Sequence, residues 1–366
     1  MFDRAPLSAP SRLHLDVLTD GVGIMQHAIG SRPDPAHGYC VDDVARALQV
    51  DLLHGNVLGW AAVRGSAWRG LRFLADAFDP TSGRFRNFRS VDGSWIGGPG
   101  SDDSYGRAIH ALGDTIAVAP DRGLVEAAAD LVDRALPVAR ELAWSRAEAS
   151  VVLGCAAILE ATPGGLPATT LALLATRLLA RFRRDATPDW PWPEASLTYE
   201  NALLPRALIV AGRILESEPM VDQGLRTLDW LIDAQTAPDG HLSPIGNGWW
   251  PRGGEKSQFD QQPIEATALL LAAEAALALT GSLRYEAAME RSYGWFLGGN
   301  DLGLYVADPA TGGGCDGLTP TGINTNQGAE STMMWLIAAE HVRALRNPAP
   351  RAAAAGAASA LAMSTQ

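Results

Sequence analysis

The chain has 366 residues, with 29 Lys and Arg against 41 Asp and Glu, a formal net charge of −12. That balance gives no electrostatic pull toward nucleic acid or an anionic membrane, so neither is expected as a partner, while neutral sugars and cationic groups stay open. Hydrophobic residues at 47% and charged residues at 19% supply a substantial core and exclude disorder as the default.

Cys40, Cys155 and Cys315 are widely separated, odd in number and lack a CxxC pair, which suits unpaired thiols packed in a core within a reducing compartment. The stretch Met1–Pro6 lacks a charged-then-apolar leader pattern, and no apolar run is expected to reach transmembrane length. A cytoplasmic location follows as the expectation.

Taken in order, the chain reads as helix pairs. Segments near 7–18, 60–78, 121–141, 166–183, 219–236 and 282–299 carry mixed polar and apolar faces. Between them, segments near 42–54, 102–117, 145–161, 199–216, 262–280 and 326–345 are more uniformly apolar. An amphipathic helix keeps a solvent face, and a helix apolar all round is buried on every side. Six of each predict two concentric rings.

The starts of the second set carry acids: Asp42, Asp102, Glu148, Glu200, Glu265 and Glu330, separated by 60, 46, 52, 65 and 65 residues. Two helices with their connections need about that length, and six such units favour a closed ring over an open stack. The expected fold is therefore all-α, an (α/α)6 toroid of six hairpins. It forms one domain over residues 1–346, with an Ala-rich low-complexity tail at 347–366 expected to be frayed and functionally silent.

Loops entering the inner helices are long and rich in Gly, Pro and Trp: 79–101, 185–198, 237–261 and 300–325. Those on the other side are short. Long loops gathered on one face are expected to build one pocket mouth. Within the first, Arg84 to Arg89 and Val91 to Trp95 read as a small hairpin.

The paired acids dominate the chemistry. Gly97 to Gly100 delivers Asp102 and Asp103 to a helix start, and Gly38 to Val41 does the same for Asp42 and Asp43. In each pair one residue can cap while its neighbour turns inward. Two acids facing across a pocket suit glycosidic cleavage, one protonating the leaving oxygen while the other serves water or attacks carbon. Glu265 follows Pro263 at a third-position capping site, so capping competes with function there. If Asn326 caps its helix, Glu330 lies a turn inside and is the better functional acid. Glu148, beside Arg146, reads as structural, and Glu200 as a ligand for a sugar hydroxyl.

Trp190 and Trp192, then Trp249 and Trp250, sit in polar loops. They either stack on sugar faces or pack over the barrel rim. No HExxH, EF-hand, Walker A or GxSxG string occurs, and the seven histidines are scattered, with His110 read as a core residue. No cofactor and no metal are expected.

With these motifs assembled, the chain resembles the six-hairpin (α/α)6-toroid glycosidases. It resembles more closely a group of bacterial glycosidase-like proteins associated with glycosyltransferases. The strings that carry the likeness are His37 to Asp43, Ser101 to Ala108, Trp190-Pro191-Trp192, Leu197 to Asn201, Ser243 to Asn247, Phe259 to Glu265 and Asn326 to Ser331. They span about residues 20–345. Two positions depart from the group's pattern: Val44 stands for Asn, and Asp102 stands for Glu. The second moves the catalytic expectation from Asp102 to Asp103.

The resulting expectation is an inverting-type glycoside hydrolase acting on short oligosaccharides, with a functional link to a glycosyltransferase. Asp43 and Asp103 lead as the catalytic pair, with Glu265 and Glu330 as substitutes. Asp42, Asp102, Trp192, Tyr199, Glu200, Asn201, Trp249, Trp250, Arg252, Asp260, Gln261, Gln262, Asn326 and Gln327 are expected to bind the sugar. The rivals are a sugar epimerase or isomerase on the same toroid, favoured if two histidines face across the pocket, and a non-catalytic sugar-binding partner of a glycosyltransferase.

Overall fold

Proline sets where the first helix can begin. Pro6 and Pro10 lack a backbone N–H, so residues 5–12 stay non-helical and α1 spans only Leu13–Leu18, shorter than the expected 7–18. The computed structural model describes residues 5–348, so the tail from residue 349 onward lies outside the described residues. The other helices are α2 (Val41–Leu58), α3 (Trp60–Ala77), α4 (Asp102–Val118), α5 (Arg122–Ala135), α6 (Ser145–Ala161) and α7 (Gly165–Asp185). They continue as α8 (Leu203–Ile214), α9 (Glu218–Ala234), α10 (Pro263–Thr280), α11 (Leu283–Phe296) and α12 (Ala329–Arg346).

Helices α2, α4, α6, α8, α10 and α12 pack in that order, and α12 packs back on α2, closing an inner ring. Helices α3, α5, α7, α9 and α11 each lie outside the inner helix preceding them. The short α1 packs on α12, so the first and last described segments complete the sixth hairpin. Asn347 fastens that join, taking the Leu7 N–H at 3.1 Å and donating to the Leu7 carbonyl at 2.8 Å. The fold is the (α/α)6 toroid the acid spacing predicts.

Local composition explains the division of labour. Helix α5 buries Leu124, Ala128, Leu131, Val132 and Ala135, one stripe at helical spacing. Helix α10 is apolar nearly all round and, by length and composition alone, long enough to cross a bilayer, against the expectation that no run reaches that length. Its place in the inner ring, with 61% of it buried, uses that apolarity internally.

Several boundaries moved for identifiable reasons. Pro137 ends α5 at Ala135, and Leu136–Glu141 continues as a 3-10 turn. Glu200 sits at φ 47 in the left-handed region, so α8 starts at Leu203 rather than near 199. The expected hairpin forms between Phe88–Arg89 and Trp95–Ile96, with Tyr39–Cys40 as a third antiparallel strand, while Arg84–Phe85 pairs back to Phe78–Asp79. Cys40 and Cys155 are buried, Cys315 is half-buried, and all three are free thiols.

Candidate active site

The site is built from the first turns of the inner helices. Asp42 and Asp43 open α2, Asp102 and Asp103 open α4, Glu148 lies in the first turn of α6, Glu265 in that of α10 and Glu330 in that of α12. At α4 the Ser101 hydroxyl caps the helix by accepting the Ser104 N–H at 3.1 Å, which frees both aspartates for other work. Asp102 bonds Arg84 and accepts the Ala143 N–H at 3.0 Å. Burial pushes its carboxyl up, but these donors outweigh that and hold it below the ordinary value. It is a tether.

A mouth cavity of about 410 Å³ opens above α2 and α12, lined by Asp42, Asp43, Arg46, Gln262 and Glu330 among others. One guanidinium organises it. Arg46 Nη1 donates to Asp43 Oδ1 at 3.2 Å and Nη2 pairs with Glu330 Oε2 at 2.8 Å. Burial is the main force on Asp43 and pushes its pKa up to about 7. Arg46 opposes the rise, while the charges of Glu330 and Asp42 add to it. Glu330 keeps a side chain exposed to 41%.

Arg107 repeats the device on the next inner helix, α4, pairing with Glu200 Oε2 at 2.6 Å and Asp42 Oδ2 at 3.3 Å. Burial raises the Glu200 carboxyl, but Arg107 outweighs it and leaves the pKa below the ordinary value. Glu265 goes the other way, pushed up to about 7 by burial against the hydrogen bond it accepts from Asn201. The ring thus holds carboxyls driven apart in acidity, the condition for separate acid and base roles. Asp42 Oδ1 and Glu265 Oε1 are buried without a hydrogen-bond partner.

Asn201 is the polar joint of this half. Fully buried, it donates to Glu265 at 3.0 Å while its Oδ1 accepts from the Thr198 N–H at 3.0 Å and Arg146 at 3.2 Å. Asn201→Leu strands those groups, and urea unfolding should show a loss of about 1–3 kcal/mol. Wild-type stability would mean the network carries no weight.

Below the acids an axial cavity of about 230 Å³ runs down the ring. Arg46, Arg107 and Glu200 line it with His110, Asp114, Arg206 and His341, over an apolar wall that includes Leu52 and Leu271. His110 approaches Asp114 at 3.7 Å, and His341 bonds Glu274 at 2.7 Å. Burial holds His110 below its ordinary pKa. So His110, expected in the core, borders the cavity instead.

A third space of about 730 Å³ lies beside α4 and α6, lined by Asp102, Asp103, Trp144, Arg146, Glu194, Tyr199 and Trp249 among others. Here the Tyr199 hydroxyl donates to Asp103, and the Arg146 guanidinium sits 4.7 Å above the Tyr199 ring. Asp103 therefore belongs to this groove and does not line the mouth cavity with Asp43, as the leading pair was expected to.

Several expected sugar ligands stand elsewhere. Trp192 is fully buried against Phe182, with its Nε1 donating to the Ser196 carbonyl, so it is core. Trp250 stacks on Trp230 and bonds the Gly254 carbonyl. Gln261 is buried, binding Asp301 and accepting from Trp295 Nε1 at 2.9 Å. Arg252 bonds Thr187 on the exposed rim, and Asp260 is an exposed turn residue at φ 58. Asn326 Oδ1 accepts the Gly30 N–H, and Gln327 packs on Gly313 and Cys315, so both hold loops. Glu148, fully buried, faces away from the ring to pair with Arg177 at 2.5 Å and Arg181 at 2.7 Å, as a structural acid should.

The residues missed are Arg46, Arg107, Arg146 and Trp144. For the first two a signal existed, because each aspartate pair is followed on the same helix by an arginine, Asp43 by Arg46 and Asp103 by Arg107. That spacing puts acid and base on one face. Among the described residues no group of three His, Cys, Asp or Glu is disposed to hold a metal ion.

No protein-family model matches the chain, and no curated protein matches it by sequence. Solved structures do. The cellobiose 2-epimerase of Spirochaeta thermophila superposes with a TM-score of 0.68 at 14% identity, covering 90% of this chain and 91% of that one. A D-mannose isomerase gives 0.67 at 12%, covering 91% and 94%, and an α-mannanase of Bacteroides thetaiotaomicron gives 0.59 at 10%, covering 84% and 86%. At such identity the likeness is one of fold, a toroid shared by epimerases, isomerases and hydrolases of sugars.

Proposed function

We propose that the protein is a carbohydrate-active enzyme, a glycoside hydrolase that cleaves short oligosaccharides by paired-carboxylate chemistry at the mouth of the toroid. The observation that carries the proposal is the Arg46 bridge, which holds Asp43 and Glu330 on either side of one guanidinium in a single cavity. Asp43, with its pKa near 7, holds a proton at neutral pH and donates it to the leaving oxygen. Glu330, more open to solvent, draws the proton from the attacking water. Asp42 and Glu200 bind hydroxyls, and a sugar in the site comes to Arg46 and Arg107 as a neutral ligand, leaving both ion pairs intact. A glycosyltransferase acting on the same glycans is the natural functional companion.

The test is release of reducing sugar from manno- and gluco-oligosaccharides, comparing wild type with Glu330→Gln. Loss of about 100-fold in kcat with a small change in KM is expected. Full activity in the variant removes Glu330 from the mechanism.

Epimerisation on the same toroid is a second reading, favoured by His110 and His341 both bordering the axial cavity. Each is tied to a carboxylate, and both lie below the acids. Incubation in heavy water separates the two. Deuterium entering the sugar carbon without bond cleavage supports epimerisation, and a new reducing end without such exchange supports hydrolysis. Sugar binding with neither outcome makes the chain a binding partner.

A further inference from the structure

The third groove is built unlike the rest of the surface. The chain buries the large indoles Trp190, Trp192 and Trp295, yet leaves Trp144 exposed to 70% and Trp249 to 48%, both on this one groove. Keeping two indoles in water forgoes the burial such side chains ordinarily gain. Trp249 is moreover held at φ 64, where a bulky residue is rarely found. Its turn fixes it there, because its N–H donates to the Gly246 carbonyl at 2.9 Å and its carbonyl accepts the Ser257 N–H at 3.0 Å. The strain aims an aromatic face outward.

Between the indoles lies polar chemistry. Tyr199 takes one Asp103 oxygen and leaves the other for an incoming hydroxyl. Arg146 lies over the Tyr199 ring and pairs with Glu194 at 2.9 Å, which fixes the groove floor. Flat apolar walls with a few fixed acceptors between them suit a pyranose, whose C–H faces stack and whose edge hydroxyls donate.

The groove is also wired to the acid ring. Tyr199 precedes Glu200, which holds Arg107, which pairs with Asp42 beside Asp43. This chain of contacts links the groove to the acids at the mouth.

Resting on the carbohydrate reading above, we propose that the groove between Trp144 and Trp249 is a distal oligosaccharide subsite that makes the protein selective for chains longer than a disaccharide. Trp144 and Trp249 are its specificity-determining walls, and Asp103, outside the reacting pair, is its hydroxyl acceptor.

The test measures binding by calorimetry and tryptophan fluorescence, using manno- and gluco-oligosaccharides of two to six units. It uses the full chain carrying Asp43→Asn, so that turnover does not intervene. The six-unit sugar should bind more tightly than the two-unit sugar. Adding Trp144→Ala should cost the longer ligand about tenfold in affinity, while the shorter ligand is unmoved and Trp144→Phe recovers most of the loss. Equal affinity for both lengths, an unchanged six-unit affinity in Trp144→Ala, or no binding of any panel sugar overturns the proposal. Length preference without turnover in the wild type leaves the subsite standing and removes the hydrolase reading. Turnover without length preference does the reverse.

Discussion

Asp43→Asn should lower kcat on a cleaved oligosaccharide by about 100-fold or more and abolish the alkaline fall of the activity profile. The argument starts from burial, which pushes the Asp43 pKa up to about 7. An acid must carry its proton to donate it, so wild-type activity holds below pH 7 and falls as pH rises through that value. Asn carries no titrating proton, and its residual activity should be flat there. The same shift is a stability statement. With the folded pKa above the ordinary 3.8, the native state holds a proton the unfolded chain has released between those values. The contribution is present at low pH and is lost as pH rises through 7. Glu265, also pushed up to about 7, adds a second slope of the same sign. Melting temperature should therefore decline across this window, less steeply in Asp43→Asn, and kcat measured over the same window completes the comparison. An unchanged kcat with an unchanged pH profile would exclude Asp43 as the acid.

That acid and its ring were legible in part because burial leaves a compositional mark. A helix such as α10, apolar on every side, has only the inner position open to it, and the stripe on α5 can face only inward. Acids at helix starts recur once per hairpin, so closing the ring brings them to one end. What composition could not carry was partner choice. Arg46 spends one nitrogen on its own helix and the other on Glu330, which only closure of α12 on α2 brings near. The tryptophans make the same point. Trp192 and Trp249 both sit in Pro-rich loops, yet one finds a carbonyl at Ser196 and the ring of Phe182 inside the wall, while the other is turned out by its backbone. Composition marks neither outcome, because each depends on how the loop folds back on itself and on the helix beside it.

The largest expected loss of stability lies where α4 crosses α6. Gly106, Gly113 and Gly154 bring the two backbones nearly into contact. A Cβ at Gly154 would stand 2.6 Å from the Ile109 carbonyl, one at Gly106 would stand 2.7 Å from the Ala147 carbonyl, and one at Gly113 would strike Gly154 itself. These obstacles are backbone, which cannot rotate away as a side-chain end would, so the helices must separate. Gly113→Val should cost about 3 kcal/mol or more in urea unfolding, at the upper end of overpacking effects. Separation also carries Asp103 and Arg107 on α4 away from Arg146 on α6, so sugar binding should weaken in whatever fraction folds. Gly65→Ala, on the exposed face of α3 where no atom lies within 4 Å, is the matched control and should stabilise by about 0.5–1 kcal/mol through helix propensity. If Gly113→Val unfolds at the wild-type urea midpoint while Gly65→Ala behaves as stated, the α4–α6 crossing is looser than its geometry requires, and the positions of the acids must be set by the loops instead.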